Sequence, residues 1–135
     1  MKRLLILLFV LPGSMALAQT TPLDCEWRGR SDGGSCNAPL DFQLSIESGI
    51  VDGTASDPSA RGPVPNLKRT EPPPPTPGLW QIHGVAKGGS FSLMTLASVK
   101  GTDRRSGKLN VTTQGAGLVV SESGGCGRKA TLSKN

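Results

Sequence analysis

The chain has 135 residues, with 15 Lys and Arg against 10 Asp and Glu, a net charge of +5 and 4% aromatic residues. That length makes one domain of ordinary size, able to bury a real core. The excess charge is modest and dispersed, which argues against the concentrated basic face of a nucleic-acid binder.

Residues 1–18 read as a cleavable secretory signal peptide. Met1-Lys2-Arg3 is a positive start, Leu4 to Leu11 runs without a polar side chain, and Ala16-Leu17-Ala18 supplies the small residues of a cleavage site. An apolar run of eight residues is far below the roughly 20 needed to span a bilayer, so no transmembrane segment is expected. Removing this segment takes Lys2 and Arg3 and no acid, leaving a domain over residues 19–135 with a charge of +3. Compact regions of this kind are bacterial in character, so the expected location is the periplasm or the medium.

Cys25 to Arg30, around Trp27, reads as an opening strand. The cleanest signal follows at Leu40-Asp41-Phe42-Gln43-Leu44-Ser45-Ile46-Glu47, where apolar and polar residues alternate without a break. A period of two means a strand with one buried and one wet face. Ser48-Gly49 is a two-residue hairpin connection, and Ile50 to Ala55 is the returning strand. Residues 56–78 then hold eight of the 11 prolines. Proline cannot serve a central strand, so this is a long, partly polyproline-II loop.

Leu79 to Ala86 resumes the pattern, with Trp80 and Ile82 opposite Gln81 and His83. Lys87 to Ser90 turns the chain into Phe91–Val99, and Lys108 to Thr113 pairs Leu109 with Val111 on a common face. Gln114 to Gly117 leads into Leu118–Glu122, and Gly124-Gly125 into a last strand from Cys126 to Ser133. No run has helical periodicity. The fold class is therefore all-β, about eight antiparallel strands in an up-and-down meander barrel, with a two-sheet sandwich as the alternative.

Export into an oxidising compartment calls for paired cysteines, and three allow one internal bridge. Cys36 follows the first strand and Cys126 begins the last, so closure of the meander brings both to one end. Cys36–Cys126 is the expected disulfide, worth roughly 4–5 kcal/mol in the chain-entropy model for a loop of about 90 residues. Cys25 lies at the far end, and burial against the core is its expected state. Three scattered cysteines and one histidine show no metal-ligand spacing.

Alternating connections place 48–49, 87–90 and 114–117 at one end of the meander, and 31–39, 56–78, 100–107 and 124–125 at the other. The second end carries the long loops, where binding sites concentrate. Its candidate binding residues are Arg61, Lys68, Arg69, Lys100, Arg104 and Arg105, set against Asp32, Asp57, Glu71 and Asp103. Lys100 to Lys108, read as a loop, is the most basic stretch and suits an anionic envelope component such as a lipopolysaccharide phosphate. A solvated loop is the plainer use of the same charges. Pro72 and Pro75 match P-x-x-P, which suits a protein partner.

His83, the only histidine, has no recognisable partner to orient it, so no catalytic residue, cofactor or metal is expected. Arg128 shares parity with Cys126, Ala130 and Leu132, so it points inward, either to stack on Trp27 or to pair with Glu122.

Trp27-Arg28-Gly29, the hairpin from Leu44 to Gly53, and Cys126 leading to Leu132 resemble a pattern of small exported bacterial β-domain proteins of unknown function. The resemblance implies a compact β-domain and no catalytic residues. Trp27 and Arg128 also resemble the Trp and Arg that cap lipocalin-like barrels. The expected function is a non-enzymatic exported domain that binds through its long-loop end. The alternatives are an interaction or inhibitor protein presenting the Pro-rich loop, and, last, an envelope hydrolase.

Overall fold

The computed structural model describes residues 23–59, 78–100 and 103–135, with positions 98–100, 103 and 104 described by backbone alone. Residues 1–22, which include the segment read as a signal peptide, residues 60–77 of the segment read as a Pro-rich loop, and residues 101–102 lie outside the described residues. Eight strands follow in order: β1 (Cys25–Arg30), β2 (Asp41–Glu47), β3 (Ile50–Ser56), β4 (Leu79–Val85), β5 (Ser90–Lys100), β6 (Asp103–Gln114), β7 (Gly117–Glu122) and β8 (Lys129–Lys134). Each pairs antiparallel with the next, and β8 returns to β1, so the meander closes into a barrel. A 3-10 turn at Gly34–Cys36 is the one helical element among the described residues. None is long and apolar enough to cross a membrane.

Register sets the width of the barrel. Carried through all eight pairings, a position in β1 returns displaced by eight residues. A displacement equal to the strand number tilts the strands by about 36° and leaves a bore that side chains can fill. They fill it here. Trp27, Phe42, Leu44, Ile46, Val51, Ile82, Leu93, Val111, Leu118 and Leu132 are all buried in one cluster.

The period-two pattern produces this because inward positions in β2, β3 and β7 alternate with wet ones. Where the inward residue is glycine, a neighbouring strand closes in. At Gly53 a Cβ would lie 2.6 Å from Leu44 Cδ2 and 2.9 Å from Leu44 Cα. Leucine thus occupies the volume that Gly53 leaves, and the strand can bend around it.

The short-turn end is held by its own chemistry. Ser48 and Gly49 have φ of 51° and 79°, the left-handed pair that matches a hairpin to the strand twist. Asp24 accepts from both turn amides, Ser48 N at 3.0 Å and Gly49 N at 3.3 Å. Cys25 beside it is half-buried and packs against the core, unpaired.

Two boundaries depart from expectation. Residues 100–107 are not a long loop: β5 runs to Lys100 and β6 starts at Asp103. Their alternation is absent because Arg105 to Lys108 are all exposed, with no core beneath that part of the hairpin. The last strand begins at Lys129, not Cys126. Gly124, Gly125 and Gly127 all take positive φ, which keeps the preceding residues in a turn.

Candidate functional site

Between the packed bore and the long-loop end lies a cleft of about 250 Å³. Leu40, Phe42, Ala55 and Leu109 give it an apolar base, and the half-buried Trp80 forms one wall. Thr95, Arg105, Lys108, Glu122 and Arg128 bring the polar groups. Most sit here by strand parity: Trp80 continues the inward row of Ile82, Thr95 that of Leu93, and Arg105 that of Leu109.

Arg128 is the central buried charge. Its Nη1 donates to Glu122 Oε1 at 2.8 Å, its Nε donates to the Ala38 carbonyl at 2.7 Å, and its guanidinium lies 5.7 Å from the Trp80 ring centroid. The Glu122 pairing follows the sequence reading, but the stacking partner is Trp80 and not Trp27. Trp27 sits deeper, donating from Nε1 to the Leu23 carbonyl at 2.9 Å, with Lys134 Nζ 5.4 Å from its ring. The two tryptophans lie in different strands of one barrel, and only register separates their roles.

On one side of the cleft the β1–β2 connection and the 123–128 turn are sewn together. Cys36 and Cys126 form the expected disulfide, with Cα atoms 5.4 Å apart. Ser35 N donates to the Cys126 carbonyl at 2.8 Å, and Asp32 Oδ1 accepts from both Gly34 N and Lys129 N. A Cβ at Gly34, where φ is +55°, would collide with the Cys126 carbonyl, so this approach requires glycine. The turn at 123–128 is thereby tied to the β1–β2 connection. On its other side the β6–β7 ladder ends at Leu109↔Glu122, followed only by Ser123 N donating to the Lys108 carbonyl.

Of the sequence-derived candidates, Arg105 lines the cleft and is exposed. Lys100 and Arg104 belong to the β5–β6 hairpin beside it. Arg61, Lys68 and Arg69 lie outside the described residues. Sequence reasoning missed Lys108, Trp80 and Thr95 as wall residues. Parity pointed to Trp80 and Thr95, but nothing local showed that the core stops beneath them.

His83 has a partner after all. Its Nδ1 lies 2.7 Å from Asp52 Oδ1, across the β3–β4 pair, and both side chains are exposed on the outer wall. Ser45 neighbours Asp52 on the far side from the imidazole, and Met94 is the register partner of His83. The row Ser45, Asp52, His83 thus puts the carboxylate between hydroxyl and base, the wrong order for activating a nucleophile. Among the described residues no three His, Cys, Asp or Glu side chains are grouped to hold a metal.

Searches against protein families, curated protein sequences and solved structures give no match for this chain.

Proposed function

We propose that the protein is an exported, non-enzymatic binding domain that takes an anionic, partly apolar ligand in the cleft at the long-loop end of the barrel. One observation carries this reading: an apolar base and the Trp80 wall sit directly beside the exposed Arg105 and Lys108. Arg128, the other cation of the cleft, is committed to Glu122 and Ala38 and serves to hold Trp80 in place. A ligand with an apolar body and a negative group would lay the body against Trp80 and its charge against the rim. An anionic envelope component meets that description. The disulfide and the signal-peptide pattern of residues 1–18 support a periplasmic or secreted location.

Anilinonaphthalene sulfonate, an aromatic anion, is a direct probe of the site. Saturable binding is expected, weakening as salt is raised and falling at least ten-fold in Arg105→Glu. Arg105 is exposed, so that substitution leaves the core intact. Absence of saturable binding, or an affinity that Arg105→Glu leaves unaltered, would overturn the proposal.

A further inference from the structure

The cleft opens where two strands part company. β6 pairs with β5 from Thr112 down to Asp103, but with β7 only from Gln114 to Leu109. Among the described residues, 103–107 therefore have a ladder partner on the β5 side alone. The chain that would cover the other side, the turn at 123–128, is tied by the disulfide and the Ser35 bond to the β1–β2 connection. Among the described residues, β6 thus presents an unpaired strand edge over residues 103–107, about 17 Å long, along the rim of the cleft.

The alternation of an antiparallel ladder says which groups that edge offers. The Lys108 carbonyl points to the β7 side, since it accepts from Ser123 N at 2.9 Å. Two residues on, the Ser106 amide and carbonyl point the same way, as do those of Arg104. Arg105 and Gly107 turn their backbone groups to β5 and take the inward parity of Leu109. A Cβ at Gly107 would press on the Thr95 hydroxyl at 2.7 Å, the one described group it would meet, so Thr95 lies directly against the bare Gly107 backbone.

We propose that this edge binds an extended acidic segment of a partner polypeptide as an added β-strand. The inference rests on the cleft being a binding site and names what occupies it. Strand addition supplies main-chain hydrogen bonds for affinity and side-chain pockets for specificity. Alternate side chains of the added strand would face inward, past Gly107, to the apolar base and Trp80. The others would lie outward beside Ser106 and Lys108. Charge selects the partner: Arg105 and Lys108 are the exposed charges described along this stretch of β6. The same charges disfavour a second copy of this edge, which would set like charges against each other.

The test uses a capped peptide, Glu-Val-Glu-Leu-Glu-Val-Glu, with the protein's intact disulfide. It is expected to bind saturably and to protect the Ser106 amide from hydrogen exchange. N-methylation of alternate peptide bonds, replacement of every Glu by Lys, and Ser106→Pro in the protein should each weaken binding at least ten-fold. Undiminished binding of the methylated peptide would overturn strand addition, since charge alone would then suffice. Protection of the Ser106 amide in the free protein would also overturn it, because another part of the chain or a second copy would already fill the edge. A peptide that fails to bind while anilinonaphthalene sulfonate still binds sinks the strand and leaves the cleft. Failure of both removes both.

Discussion

Glu122 grips Arg128 at two points, accepting from Nη1 at 2.8 Å and from the backbone amide at 3.1 Å. The first bond orients the guanidinium beneath Trp80; the second fixes where the chain leaves the 123–128 turn and enters β8. With Arg128 only 7% exposed and Glu122 17%, water contributes little to either charge. Removing one partner strands the other.

Arg128→Ala is therefore expected to cost about 3–5 kcal/mol, the usual effect of breaking a buried pair. The double variant Arg128→Met with Glu122→Leu should recover most of that loss, since no uncompensated charge remains. Urea unfolding of Arg128→Ala and of the double variant measures the difference. A double variant as unstable as Arg128→Ala would show that packing against Trp80, and not charge pairing, dominates.

The disulfide should be a large single contributor. Cys36 and Cys126 are separated by 90 residues, and replacing both by Ser should lower stability by about 2–5 kcal/mol. Loss should be greatest at the long-loop end. Hydrogen exchange there, at Ser35 and Lys129, should quicken more than at the Ser48-Gly49 hairpin.

Gly53 is expected to reject any side chain. The Cβ of Gly53→Ala would press on Leu44 Cδ2 and Cα, and displacing a packed leucine costs about 1–3 kcal/mol. Gly89→Ala serves as the contrast, because its Cβ would meet only the Thr113 hydroxyl, at 3.2 Å. Thermal unfolding should separate the two clearly, with Gly89→Ala within about 0.5 kcal/mol of the parent.

Asp24→Ala should destabilise the protein by about 1 kcal/mol, the cost of leaving two turn amides to water. Asp24→Asn, which keeps one acceptor oxygen, should lose less. Faster amide exchange at Ser48 and Gly49 in Asp24→Ala would report the effect locally.

The free edge of β6 and the cleft beside it bring together residues of β2, β3, β4, β5, β6 and β7, and that breadth explains what was legible beforehand. By itself the sequence determined the strands with a core beneath them, since burial of one face imposes a period of two from Leu40 to Ile46. It determined the Ser48-Gly49 hairpin through local backbone chemistry. It also determined the Cys36–Cys126 pairing, because meander order alone says which connections share an end. Where β6 runs past the core, Arg104 to Gly107 lost the alternation and read as a loop.

Tertiary structure decided everything that depends on register. The displacement of eight residues round the ring narrows the bore until side chains fill it. Register also sets Arg128 under Trp80 and puts Asp52 beside His83, 31 residues away in the chain. Above all, it ends the β6–β7 ladder at Leu109 and leaves residues 103–107 of β6, among the described residues, without a partner on the β7 side. Such facts arise between strands, and a pattern read along one strand does not contain them.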